Sequence, residues 1–151
     1  MIYLMRHADA VSEEVDPARP LSAKGREQVA RVCLVLGKRK GFAPAEVWHS
    51  PLERSLETGE LLLQGLGITS TLVLKDGLTP DDDPSPVATA LVAENRDIAV
   101  VGHEPHLGIL ASLIVHGPKR RGVFFPFSKA GLLALTRSSE GWSADWIVRA
   151  P

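Results

Sequence analysis

Apolar positions along this chain follow two rhythms that alternate from the N-terminus onward. Ile2–Met5 is an unbroken apolar run of strand length, and Glu46–His49, Thr71–Leu74 and Ile98–Val101 read as further short strands. Between them the spacing becomes helical. Val29, Val32, Cys33 and Leu36 form one stripe of a helix that Ser22 caps, running to about Lys40 with Gly41 as its stop. The stretch "SPLERSLET" predicts a second helix, with Ser50 as N-cap, Pro51 at the first helical position and Glu53 completing a capping box. This helix runs to Gln64, and Gly65 or Gly67 ends it. Ser85-Pro86 opens a third helix ending near Asn95, and a fourth follows Pro105 and stops at Gly117. Val123–Phe127, Leu132–Thr136 and Trp142–Val148 read as strands, the last two joined by a hairpin turn at residues 138–141.

Alternating strands and helices predict an α/β fold: a three-layer sandwich with a largely parallel central sheet between helices and a C-terminal antiparallel hairpin. The 151 residues suit one domain, 1–151. A net charge of −1 provides no global field for nucleic acid or an anionic membrane. The longest late apolar run, Leu107–Val115, contains Gly108 and Ser112 and falls far short of the ~20 residues a bilayer span needs. No secretory signal is apparent, and Cys33 is the single cysteine, so the expected compartment is the reducing cytoplasm. Cys33 lies in a helical apolar stripe and reads as a buried structural thiol.

Candidate chemistry collects at the ends of the strands. In open α/β sheets ligands bind beyond the carboxyl ends of the strands. Arg6-His7 follows the first strand there, Gly102-His103 follows the strand at Ile98–Val101, and Ser50 leads into the helix that carries Arg54. Two arginines and two histidines suit a compact polyanion, because guanidinium groups match phosphoryl oxygens in bidentate geometry. Arg54 near a helix N-terminus conflicts with the macrodipole unless an anion is close, although Glu53 already supplies negative charge. Arg19 reads either as a phosphate contact or as a structural salt bridge, and Ser50 and Glu104 as further substrate-binding candidates.

The motifs "MRHADA", "RPLSAKG", "SPLERSLET" and "VVGHEPHLG", in that order and spacing, resemble those of the histidine phosphatase (phosphoglycerate mutase-like) superfamily. The short chain, "RPLS" and "LTP" resemble most the SixA-type protein phosphohistidine phosphatases. The resemblance extends to about Gly108. It implies that His7 is a nucleophile that takes a phosphoryl group on a ring nitrogen. Arg6, Arg54 and His103 would hold the transferring oxygens, with no metal and no cofactor. The implied partner is a phosphorylated protein bearing phosphohistidine. Two positions depart from the family pattern. Ala8 stands where the family has glycine, and Gly77 stands about where mutase-like members carry a glutamate acid. None of Asp76, Asp81, Asp82 and Asp83 matches that acid.

Blander readings apply elsewhere. His49 reads as a strand-end residue, His106 as a first-turn residue near the pocket rim, and His116 as a helix C-terminal residue. Asp81–Asp83 lacks calcium-ligand spacing and reads as negative charge ahead of the next helix. Lys119-Arg120-Arg121 reads equally as a solvated loop or as a contact for an acidic protein surface. Two alternative functions remain at this level: a small-molecule phosphomonoesterase or mutase of the same superfamily, and a non-catalytic module that binds phosphoproteins.

Overall fold

Along the first strand, β1 (Ile2–Arg6), Ile2 and Leu4 pack into one apolar cluster while Tyr3 and Met5 pack into another. Side chains alternate across a strand, so both faces of this strand are buried. That explains the unbroken apolar run. The computed structural model describes residues 1–120 and 125–150. The chain continues through α1 (Ala23–Arg39), β2 (Glu46–His49), α2 (Glu53–Leu66), β3 (Thr71–Leu74) and α3 (Ser85–Ala93). It ends with β4 (Ile98–Gly102), α4 (His106–His116), β5 (Leu132–Ser138) and β6 (Gly141–Val148).

The six strands form one sheet in the order β3-β2-β4-β1-β5-β6. The first four are parallel, and β5 and β6 form an antiparallel hairpin against β1. Val29, Val32 and Leu36 of α1 and Leu62 and Leu63 of α2 cover the face of Tyr3, Met5, Ala99 and Val101. Val87 and Leu91 of α3 and Leu107 and Leu110 of α4 cover the face of Ile2, Leu4, Ile98 and Val100. The fold is therefore the predicted three-layer α/β sandwich. Each fully buried Leu or Ile in these layers contributes about 1.5–3 kcal/mol.

Several boundaries move for identifiable reasons. β1 extends to Arg6 and β4 to Gly102, because these two residues pair in the parallel register. The helix after Ser50 starts later than predicted. Its N-cap is Leu52, without a side-chain cap bond, and Glu53 is its first residue rather than its third, so no capping box forms. The Ser50 hydroxyl has another partner, described below. Gly67, not Gly65, ends α2 in the left-handed region at φ 64°. Gly65 lies inside the helix, where a Cβ would come within 2.7 Å of Cys33 Sγ, so its missing side chain lets α2 approach α1. Cys33 is buried as expected, and burial pushes its thiol pKa up. The expected strand Val123–Phe127 lies partly outside the described residues, as does Arg121 of the basic cluster. The described part, 125–127, is not in a strand.

The motif "RPLSAKG" acts as a packing device. Ser22 caps α1 by accepting from the Gly25 N–H at 3.0 Å, and its own hydroxyl donates to Asp9 Oδ2 at 2.6 Å. A Cβ on Gly25 would lie 2.0 Å from the Asp9 carbonyl oxygen. The backbone that follows His7 thus rests directly on the first turn of α1. Gly25→Ala should displace that backbone, with an overpacking cost of about 1–3 kcal/mol. The expected result is a lower urea midpoint at unchanged m-value, together with reduced activity.

Candidate active site

The chain leaves β1 toward α1 on one face of the sheet and leaves β4 toward α4 on the other. Adjacent strands whose connections diverge in this way open a crevice at their carboxyl ends. The backbone N–H of His7 donates to the Gly102 carbonyl at 2.9 Å, which carries the β1–β4 ladder one step past the strand. His7 and His103 consequently stand side by side, with ring centroids 5.0 Å apart and planes inclined by 49°. Both are buried, at 7% and 1% exposure.

α2 delivers Arg54, and buried hydroxyls set its position. Ser55 Oγ donates to the Val101 carbonyl at 2.6 Å and accepts from the Ser50 N–H at 3.2 Å. Thr58 Oγ1 donates to the Arg54 carbonyl at 2.7 Å and accepts from the Ala8 N–H at 3.0 Å. The first turns of α2 are thereby pinned to the ends of both β4 and β1. Glu57, also buried, accepts from the Leu21 N–H and from Arg26, tying the "RPLS" loop to the same helix. The Ala8 side chain is fully buried and packs into the core between the sheet and α1 and α2, which is how the structure accommodates it at the motif's glycine position.

Hydrogen-bond direction assigns the ring protons. His7 Nδ1 lies 2.7 Å from the Ala8 carbonyl oxygen, which can only accept, so Nδ1 carries the proton and Nε2 carries the lone pair. His103 Nε2 lies 2.6 Å from Ser50 Oγ, and that hydroxyl accepts the Leu52 N–H at 3.3 Å. If the Ser50 hydroxyl donates to His103 Nε2, the proton of His103 sits on Nδ1. Nδ1 is buried without a protein acceptor, as are Nε of Arg6 and Nε of Arg54, among the described residues. Arg6 is oriented by donation from Nη1 to the Phe127 carbonyl at 2.9 Å.

Electrostatics keep both rings neutral. Burial lowers the His7 pKa to about 4, helped by the charges of Arg54, Arg6 and Lys129. Burial likewise lowers His103 to about 3, with His7, Arg54, His106 and Arg6 adding to the effect. Arg54 is itself pushed down by desolvation and by Arg19, while Glu13 opposes the shift. The arrangement is a buried imidazole, neutral at neutral pH with a free lone pair on Nε2, in the field of two guanidinium groups and beside a second imidazole.

The sequence model of the histidine phosphatase superfamily (branch 1) matches residues 2–79, more than half of the chain. The chain belongs to the histidine phosphatase superfamily. Members of this superfamily are phosphatases and mutases. Among solved structures, the protein histidine phosphatase SixA complexed with tungstate is similar at 24% identity and a TM-score of 0.84, covering 99% of this chain and 96% of that one. SixA from Agrobacterium tumefaciens is similar at 17% identity and a TM-score of 0.75, covering 97% and 96%. A mycobacterial glucosyl-3-phosphoglycerate phosphatase in complex with VO3 is similar at 18% identity and a TM-score of 0.66, covering 95% and 96%. At these identities the likeness establishes the fold. No curated protein sequence matches the chain.

The other sequence candidates take different places in this superfamily member. Arg19 has a positive φ of 50°, its Nε donates to the Val11 carbonyl, and it acts electrostatically on Arg54. Arg19 and Arg54 line a groove of about 430 Å³ together with Glu13, Pro51 and Glu53. Both carboxylate oxygens of Glu104 are bonded to backbone: Oε1 to the Phe127 N–H at 2.9 Å and Oε2 to the Gly108 N–H at 3.3 Å. Since the Phe127 carbonyl holds Arg6, Glu104 steadies the loop that orients that guanidinium. His106 is fully buried rather than at the rim, and faces the Gly77 carbonyl. Asp83 accepts from the Ser85 N–H at the start of α3, in line with its expected place ahead of that helix. Ser55, Thr58 and Glu57 went unassigned in the sequence, although their helical spacing on the Arg54 helix could have marked them as one polar, inward face. Among the described residues no group of three His, Cys, Asp or Glu side chains could hold a metal ion. No described helix is long and apolar enough to cross a membrane.

Two outcomes follow from the buried neutral histidines. The His7 imidazole should titrate near pH 4 by NMR in the free protein. The folded-state values lie below the ~6.5 of an unfolded histidine, so in the window between them the unfolded chain binds more protons. The stabilising contribution is complete above pH ~6.5 and declines as pH falls toward 4, which urea melts across that range will register. Ser50→Ala frees the His103 tautomer. The expected loss in kcat approaches that of deleting one oxyanion donor, about 10²-fold, with little change in fold by circular dichroism.

Proposed function

We propose that this protein is a metal-independent phosphatase that removes the phosphoryl group from phosphohistidine on proteins, through a phosphorylated His7. The observation that carries the reading is the set of charges around the nucleophile. Those acting most strongly on His7 are all cations, Arg54, Arg6 and Lys129, and no carboxylate is among them. Three acids near the site are engaged elsewhere: Glu104 with two backbone N–H groups, Asp9 with Lys129 and Ser22, and Asp82 with Thr79. Glu13 lines the groove beside Arg19 and Arg54, and its charge acts on Arg54.

The chemistry follows from this distribution. Nε2 of His7 attacks phosphorus, and the bond from phosphorus to the substrate's ring nitrogen breaks. Arg6, Arg54 and His103 stabilise the transferring oxygens, which is the main demand of phosphoryl transfer. A phosphohistidine leaving group is an imidazole whose conjugate acid has a pKa near 6.5, so a proton taken up from water on its free ring nitrogen suffices. An alkyl phosphate would expel an alkoxide, for which a positioned acid contributes roughly 10²–10⁴-fold. The Ala8 carbonyl holds the proton on Nδ1 of His7 throughout. Phospho-His7 is thereby kept in its protonated, more labile form. Water then attacks phosphorus, gives up its proton to the departing phosphate, and restores neutral His7.

The likeness to SixA, a protein histidine phosphatase, supports this reading. The groove beside Arg19 and Arg54 favours the second reading, a small-molecule phosphomonoesterase, because it offers room for a substrate body next to the phosphoryl site.

The leaving group distinguishes the two. Across substrates of graded leaving-group pKa at constant pH, kcat/KM should fall steeply, with phosphoramidate and phosphohistidine best, aryl phosphates intermediate and alkyl phosphates worst. A flat series would mean that an acid operates and would favour the phosphomonoesterase. Rapid quench with labelled phosphohistidine substrate should trap base-stable, acid-labile label that His7→Ala abolishes, whereas a non-catalytic binder would show neither label nor turnover. Treatment with EDTA should leave the rate unchanged. Arg54→Lys should lower kcat and kcat/KM together, since an ammonium cannot replace a bidentate guanidinium.

A further inference from the structure

A fifth segment, residues 127–131, builds the site from the far end of the chain. The Ala130 N–H donates to the His7 carbonyl at 3.2 Å, and the Gly131 carbonyl accepts from the Arg6 N–H at 3.0 Å. The turn is tight: Gly131 N–H returns to the Ser128 carbonyl at 2.9 Å, and Ala130 has a φ of 56°. Phe127 at its start holds the Arg6 guanidinium. This turn therefore grips the main chain of the nucleophile directly, and Lys129 projects from it.

Lys129 forms an ion pair with Asp9, two residues after His7. Asp9 is held in turn by the Ser22 hydroxyl and by Gln28, which accepts its backbone N–H. The Lys129 side chain is 40% exposed and the Asp9 side chain 21%, so the ammonium remains reachable from solvent. An ammonium carries three N–H donors, and the pairing with Asp9 Oδ1 uses one. Its charge is felt at His7, alongside those of the two arginines.

We propose that Lys129 is a phosphoryl-binding residue, held by Asp9 beside the main chain that carries His7 and donating to a peripheral oxygen of the incoming phosphoryl group. The proposal rests on the phosphatase reading above and adds a contact to it. Arg6 and Arg54 match the two charges of a phosphoryl dianion, while Asp9 cancels Lys129 in the free enzyme. When the dianion enters, the ammonium bridges carboxylate and phosphoryl oxygen without leaving its place. Asp9 is then a positioning residue whose negative charge also limits affinity for the product.

The two halves of the ion pair should act in opposite directions on anion binding. The measurement is the dissociation constant of inorganic phosphate and of tungstate for the free enzyme, by calorimetry, which requires no turnover. Lys129→Met, which keeps the length of the side chain, should weaken both anions about tenfold, and Lys129→Arg should recover most of the loss. In Asp9→Asn the amide oxygen can stay toward Lys129 and keep the ammonium in place. The amide N–H then donates to Ser22 Oγ, which itself can donate to the backbone carbonyl of position 9 at 3.3 Å. This variant should bind both anions as tightly as the wild type or more so. The His7 titration should move upward in Lys129→Met. If Lys129→Met and Asp9→Asn weaken anion binding equally, and both lower the melting temperature equally, the pair is only a latch and the proposal is overturned. Unchanged affinity in folded Lys129→Met overturns it as well. Because free phosphate and tungstate are the probes, these outcomes are independent of whether phosphohistidine proves to be the preferred substrate.

Discussion

One hydrogen bond, from the His7 N–H to the Gly102 carbonyl, organises the site. It extends the β1–β4 ladder by one residue, so two strands almost a hundred residues apart in sequence end at the same level. His103 follows Gly102 directly, and the two imidazoles are therefore neighbours by register. A one-residue slip would turn His7 toward the opposite face of the sheet. Burial prevents the slip: Ile2 and Leu4 belong in one apolar layer, Tyr3 and Met5 in the other, and the two sets cannot exchange without repacking both cores.

Around this register the protein places polar groups where a core would normally be apolar. Ser50, Ser55 and Thr58 are fully buried; the Ser55 and Thr58 hydroxyls each donate and accept between backbone segments, and the Ser50 hydroxyl accepts the Leu52 N–H and bonds the His103 ring. Such groups are tolerated inside only when bonded. Here the bonds convert the position of α2 into the position of Arg54. The cationic groups are treated differently. Arg6 and Arg54 keep buried Nε atoms that no described protein acceptor satisfies, and desolvation holds His7 and His103 neutral. Buried cationic donors without a described protein acceptor thus collect at one edge of the sheet, the arrangement on which the proposed phosphoryl site rests.

Much of this was legible in the sequence. Strand and helix types followed from local periodicity, which depends on neighbours only a few residues apart. The arrival of Arg6, His7, Arg54 and His103 at one sheet edge followed from the same reading together with the rule on strand ends. The ring at His103 shows where such reading stops. Ser50 has the residue type and position of an N-cap, yet its hydroxyl serves a histidine 53 positions away, and the helix starts two residues later. Glu104 reads in the sequence as a substrate-binding candidate, and only the structure shows that its carboxylate accepts two backbone N–H groups.

The sequence by itself determined the types of the four helices and of the six strands of the sheet, and it marked Arg6, His7, Arg54 and His103 as the candidates for one site. Tertiary structure alone decided which nitrogen of His7 carries its proton, what Glu104 holds, and that Lys129 lies in the turn bonded to the main chain of His7, 122 residues earlier in the chain. The physical reason is range. Periodicity and capping are local properties of a few neighbouring residues. The direction of a hydrogen bond between distant segments exists only after the sheet has set their separation and orientation to within a few tenths of an ångström.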